Sequence, residues 1–264
     1  MRNLRGETYN SLILKAKHLQ QNRILIGIPM TGLIRSEWAI ARWAQIIPCN
    51  WSASDCIQWM NQTSPLGYSV ADARNLIVDQ CVKHDFQWLL FIDHDVVLPP
   101  HTFVAINEYM MDAKIPVVSG LYYAKAHPPQ PLIYRGRGNG YYRNWKLGQK
   151  IWVDGIPMGC TLIHGSILKE MSKDAPEYKV HGETRVKRVF DTPAGVYRDP
   201  ETNETKAFAG TEDLAWCNRV IAGKYLQKSG WKKIGEQKHP FLIDTTIFCR
   251  HITNDGQVYP LGVG

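Results

Sequence analysis

The chain has 264 residues, of which 44% are hydrophobic and 21% charged. These are ordinary globular proportions, so a disordered or fibrous protein is excluded, and a chain of this length folds without disulfide or metal staples. The net charge of +7 favours polyanionic partners, whether phosphates, nucleic acid or a membrane surface.

No apolar run approaches the roughly 18–20 residues that span a bilayer. Residues 1–21 lack the apolar core and small-residue cleavage site of a signal peptide. A soluble, cytoplasmic protein is expected. The six cysteines are scattered without a CxxC pair, which predicts buried reduced thiols rather than a zinc site or a disulfide framework.

In chain order, residues 24–29 (ILIGIP) predict a buried first strand. Residues 36–47 then place Ile40, Trp43, Ala44 and Ile47 on one helical face. Ser69 with Asp72 has the pattern of a capping box and opens a helix in which Ala73, Leu76, Ile77, Gln80 and Cys81 share a side. Residues 88–92 (WLLFI) form a fully apolar strand, too short for a helix. Pro99 and Pro100 start another helix with Phe103, Ile106 and Met110 inward, and residues 115–123 read as the next strand. Such alternation predicts an α/β fold, a mainly parallel sheet flanked by helices. The second half is less regular, with strands at 151–153, 158–163 and 243–250 and a short helix at 165–171. A further helix starts at Thr211, with Leu214, Cys217 and Ile221 on one face. The polar stretch 172–210 is too long for an ordinary connection and reads as a functional lid or a disordered segment.

The apolar strand runs straight into Asp93, His94 and Asp95. Ligand sites in open α/β sheets lie at the carboxyl ends of the strands, and residues two apart on an extended chain point the same way. Two carboxylates aimed at one point repel unless a proton or a cation lies between them. Mg²⁺ or Mn²⁺ with phosphate oxygens fits that demand. A second acidic pair, Glu212 and Asp213, sits at a helix start, where the macrodipole alone favours acids. His251 ends the last apolar strand, and a lone histidine there is ordinarily structural. Residues 124–150 hold Lys125, Arg135, Arg137, Arg143, Lys146 and Lys150 with no acid, interleaved with Tyr134, Tyr141, Tyr142 and Trp145. That pattern suits either a solvated basic loop or a surface that holds phosphates and stacks on bases.

Taken together, these segments resemble GT-A fold glycosyltransferases, particularly the family-2-like enzymes that use nucleotide-diphosphate sugars. ILIGIPMTG resembles their first strand and nucleotide loop, and Asp72-Ala73-Arg74-Asn75 their Ala-Arg-Asn element. LLFIDHDVVLPP resembles their Asp-X-Asp strand, and the run from Gly210 to Cys217 the segment carrying the catalytic base of inverting members. Met158-Gly159-Cys160 resembles the small-residue turn where donor sugar and acceptor meet.

The resemblance implies a single large domain. Residues 24–123 would hold the nucleotide sugar, 124–264 would form the acceptor and catalytic half with a mobile loop at 172–210, and 1–23 would be an extension. It implies Asp95, Asp93 and His251 as ligands of Mn²⁺ or Mg²⁺. Pro29, Thr31, Arg74, Asn75, Asp93, His94 and Gly159 would bind the nucleotide sugar. Asp213 would be the base of an inverting transfer, with Glu212 holding hydroxyls. The middle residue His94 departs from the acidic or small residue usual there, and the basic stretch has no counterpart.

Two rival readings remain at this level. A nucleotidyltransferase would need a Gly-rich basic loop after the first strand, whereas residues 29–35 offer one Gly and one Arg. A nucleic-acid-binding protein would use the basic stretch. An enzyme glycosylating modified bases in DNA would merge that reading with the first; glycan, lipid-linked and small-molecule acceptors are the other expectations.

Overall fold

The structure, a computed structural model, describes residues 23–52, 57–59, 67–136, 141–180 and 182–260. The N-terminal extension, apart from Arg23, therefore lies outside the described residues, as do Cys56 and Arg137. The first half runs β1 (Ile24–Gly27), α1 (Ser36–Trp43), α2 (Cys49–Ser52), β2 (Ile57–Trp59), α3 (Val70–Lys83), β3 (Trp88–Ile92), β4 (Val96–Val97), α4 (Thr102–Asp112) and β5 (Val117–Leu121). The second half runs β6 (Lys150–Val153), β7 (Cys160–His164), α5 (Gly165–Asp174), β8 (Glu177–Val180), β9 (Thr184–Lys187), β10 (Ala194–Arg198) and β11 (Thr205–Ala209). It closes with α6 (Glu212–Ala222), α7 (Tyr225–Lys228), α8 (Lys232–Gly235), β12 (Phe241–Phe248), β13 (Arg250–Ile252) and β14 (Val258–Tyr259).

Seven strands form one sheet in the order β2-β1-β3-β7-β5-β12-β6. The pairs β1–β2, β1–β3 and β5–β12 are parallel, whereas β7 and β6 run against their neighbours. This is the expected α/β, Rossmann-like architecture of a mainly parallel sheet between helices. Alternate residues of each strand feed the two faces. Leu25, Leu89, Phe91 and Ile243 pack with Ile77 of α3, Met171 of α5 and Trp216 of α6. Ile24, Ile26, Leu90, Ile92 and Leu242 pack with Trp38 of α1, Trp51 of α2 and Phe103 of α4. At roughly 25 cal/mol per Å² of apolar surface, these two layers supply the main driving force for folding.

Three expectations change. Helix α1 ends at Trp43, and its Ile40 and Trp43 are exposed, as is Ile47 beyond it; the buried residue is Trp38, whose indole packs into the core and donates to the Asp93 carbonyl at 2.8 Å. The Trp38 indole N–H finds a partner in the core, which lets that ring be the one buried on so short a helix. The 172–210 stretch is a helix end followed by two antiparallel hairpins, β8–β9 and β10–β11. Val180, Val186, Val189 and Phe190 of this stretch enter the core. Cys81, Cys160, Cys217 and Cys249 are buried thiols as expected, but Cys49 is exposed. Among the described residues no helix is long and apolar enough to cross a membrane.

Candidate active site

Strands β1, β3, β5 and β12 are parallel members of the sheet, and their carboxyl ends lead into Pro29, Asp93, Tyr122 and, through β13, His251. Two ladders set the spacing. Antiparallel β7 pairs Ile92 with Cys160, so Asp93 donates its N–H to the Gly159 carbonyl at 3.0 Å. Strand β13 pairs His251 with Val96 of β4, and Ile252 donates its N–H to the Asp95 carbonyl at 2.8 Å. His251 is thus held beside Asp95 although the two are 156 residues apart.

Helix α3 begins where the capping pattern predicts, with Ser69 accepting from the Asp72 N–H at 3.2 Å. Its Arg74 reaches under the site with only 2% of its side chain exposed. Nη2 donates to both Asp93 carboxylate oxygens, at 2.9 and 3.0 Å, and Nε donates to Glu212 Oε1 at 3.1 Å. Among the described residues its buried Nη1 has no hydrogen-bond partner. Burial opposes the charge of Arg74, and Asp93 with Glu212 more than restores it, so its pKa is raised. For Asp93 burial dominates and lifts the pKa even though Arg74 opposes the shift.

Asp95 behaves differently. Burial again disfavours its charge, but His251 and Lys125 outweigh it and hold the carboxyl well below the usual carboxylate range. Both contacts fall on Oδ2, with Lys125 Nζ at 2.6 Å and His251 Nε2 at 3.2 Å. His251 Nδ1 lies 2.9 Å from the Tyr123 carbonyl. A carbonyl only accepts, so Nδ1 carries a proton and neutral His251 would present the Nε2 lone pair to Asp95. Two acceptors at that separation require a proton or a cation between them. Among the described residues no group of three or more His, Cys, Asp and Glu is arranged to hold a metal ion.

The remaining expected residues divide into two sets. His94 joins the first loop to the acidic turn, with Nδ1 3.2 Å from the Pro29 carbonyl and Nε2 3.3 Å from Thr31 Oγ1. Pro29, Thr31, Ala73, Asp93, His94 and Asp95 line a small cavity of about 160 Å³. It shares Thr31, His94 and Asp95 with a larger neighbouring cavity of about 510 Å³. Asn75, expected at the nucleotide, instead ties α3 to the hairpin segment. It donates to Tyr178 Oη at 2.9 Å and to the Phe190 carbonyl at 2.8 Å, and accepts from the Phe190 N–H at 2.7 Å. Gly159 matters through its missing side chain, because a Cβ there would lie 2.5 Å from Tyr122 Oη and 2.8 Å from Val96.

Asp213 starts α6 beside Glu212. Burial raises its pKa, against the pull of Thr211 and the Leu214 N–H. Three residues missed in the sequence complete the site: Trp38, whose indole holds the Asp93 carbonyl, Tyr122, whose hydroxyl accepts from the Gly159 N–H at 2.8 Å, and Lys125. Position would have flagged two of them, since Tyr122 lies at the end of the predicted strand at 115–123 and Lys125 two residues beyond it. Elsewhere in the basic stretch, Arg135 lies over Tyr142 and Arg143 over Tyr141, so these rings face their own neighbours.

Comparison with solved structures gives A197 from STIV, with a TM-score of 0.50 and 18% identity over 89% of this chain and 92% of that one. That likeness is one of fold. S. aureus TarS is a more distant match, with a TM-score of 0.37 and 11% identity over 58% of this chain and 30% of that one. No protein-family model matches the sequence. A comparison with curated proteins finds no match either.

Proposed function

We propose that the chain is a divalent-metal-dependent glycosyltransferase, moving a sugar from a nucleotide-diphosphate sugar to an acceptor hydroxyl with inversion. The observation that carries this reading is the convergence of the four resembling segments at one sheet edge, with Arg74 of the second segment bonded at once to Asp93 of the third and Glu212 of the fourth. A structural ion pair alone would not require the His251 strand to return to the same point.

Charge supports the metal. Among the described residues, Arg74 and Lys125 are the permanent cations that pair with Asp93, Glu212 and Asp95, so an incoming diphosphate needs further positive charge. Asp95 with His251 Nε2 suits a divalent ion completed by phosphate oxygens and water, and the Tyr123 carbonyl orients the imidazole as outer-sphere partners of metal ligands do. Such an ion, when bound, neutralises charge on the leaving diphosphate. The nitrogen ligand tilts preference toward Mn²⁺ over Mg²⁺.

The protein's own groups supply the rest. Pro29, Thr31 and His94 wall the nucleotide cavity, and Arg74 fixes Asp93 toward the donor. Asp213 takes the proton of the acceptor hydroxyl, a role suited to a carboxylate whose pKa is raised by burial. A thermal-shift and hydrolysis screen of UDP-, GDP- and dTDP-sugars with Mn²⁺ tests the reading. One donor should raise the melting temperature by mass action and be turned over. No shift with any donor would overturn the proposal.

A further inference from the structure

Lys125 belongs to the basic stretch, yet its place in the fold is the acidic site. It lies in the loop that leaves β5, and that loop is pinned along its length. Ala124 donates to the Gln130 carbonyl at 2.8 Å, Leu132 to the Tyr122 carbonyl at 3.0 Å, and His127 Nε2 meets Tyr259 Oη at 3.3 Å. The same segment touches two of the three expected metal ligands, through the Tyr123 carbonyl on His251 and the Lys125 ammonium on Asp95. Lys125 and His251 share one oxygen of Asp95, Oδ2.

We propose that Lys125 is a resident cation of the nucleotide site, balancing Asp95 when no other cation is present and contacting the diphosphate when a nucleotide is bound. The inference rests on the nucleotide-sugar reading of this cleft. Its logic is electrostatic. Asp93 already has Arg74, so Asp95 is the acid whose charge the site must manage, and an ammonium at 2.6 Å does so without metal. With a divalent cation on Asp95, like charge repels the ammonium from that carboxylate and leaves it free for a phosphate oxygen. Lysine suits the task because its charge sits at the tip of a flexible stem. Here the side chain is about 29% exposed, and the carboxylate it holds, Asp95, lines both cavities.

Two consequences follow that a solvated surface lysine would not produce. A nucleoside diphosphate should bind measurably in the presence of a chelator, and Lys125 should compete with a metal ion for Asp95. Calorimetry of UDP and GDP in EDTA, and of Mn²⁺ alone, reads both in the parent, Lys125→Met and Lys125→Arg. Lys125→Met should weaken the metal-free binding of whichever nucleotide the parent takes by at least about tenfold, the loss of one charged hydrogen bond. The same variant should bind Mn²⁺ more tightly than the parent. Lys125→Arg should stay near the parent in both respects, which separates a charge effect from a folding defect. Unchanged metal-free nucleotide affinity and unchanged Mn²⁺ affinity in Lys125→Met would overturn the proposal. Failure of the parent to bind either nucleotide even with Mn²⁺ would instead overturn the nucleotide reading beneath it.

Discussion

Asp213 stands on the first turn of α6, where the helix dipole should favour its charge, yet its pKa is raised because burial and the neighbouring Glu212 disfavour that charge. A group whose folded pKa lies above its unfolded value contributes stability at low pH, and that contribution is lost as pH rises through the folded value. Above that folded value the charge of Asp213 is a net cost to the fold. Asp213→Asn should melt at the same temperature as the parent or higher, and keep binding donor and Mn²⁺. It should nevertheless transfer sugar at least about a hundredfold more slowly. Near-parental turnover, or product of retained configuration by NMR, would remove Asp213 from the chemistry. Arg74 gives the opposite expectation. Its removal strands two carboxylates in a buried site, so Arg74→Ala should lose about 3–5 kcal/mol in urea unfolding. A loss below about 1 kcal/mol, as for an exposed ion pair, would contradict the buried geometry.

Among the elements, β7 and α5 meet at His164, the N-cap residue of α5. Its ring lies edge-on to Trp88 at 4.7 Å and to Trp231 at 5.1 Å, and it accepts from the Ser166 N–H. Burial first, with Lys169 adding to it, lowers its pKa from 6.5 to about 4. The neutral imidazole is thus the folded form. Its contribution to stability is complete above pH 6.5 and drains away as pH falls toward 4, on the order of 3 kcal/mol in all. Unfolding midpoints across that window should fall in the parent and fall less in His164→Gln; equal slopes would show that another group sets the acid limit. The β3–β7 junction carries a steric prediction too. Gly159→Ala should cost about 1–3 kcal/mol, the range for overpacking, because its Cβ would press on Tyr122 and Val96. It should also weaken nucleotide binding by displacing Asp93, which calorimetry would read as a larger dissociation constant.

For the molecule as a whole, the two hairpins are the part least explained by the sheet. The β8–β9 hairpin leads into the core through Phe190 and is tied to α3 by Asn75, whereas β10–β11 forms a separate two-stranded ribbon with Val196 exposed. If that ribbon closes over the donor, as lids do to exclude water, limited proteolysis within 194–209 should slow when nucleotide and Mn²⁺ are both present. Equal cleavage rates would leave the ribbon out of the cycle.

Much of this protein is written in local sequence. WLLFI reads as a buried strand because five apolar residues are too few for a helix, and Ser69 with Asp72 starts α3 through a hydrogen bond that spans three residues. The parallel α/β order and the acids at the strand end follow from the same short-range patterns. Other features depended on distance in the chain. Arg74 bridges residues 19 and 138 positions away, and the Lys125–Asp95 contact spans 30. A charge in the sequence shows its sign but not its partner, so Lys125 could be counted only as one of six neighbouring bases. Likewise, periodicity placed Ile40 and Trp43 on one face of α1, and only packing decided that Trp38 is the side turned inward. Burial is a property of the assembled layers, and partner choice in a low-dielectric site follows burial; neither exists until the sheet and its helices have closed around the side chains.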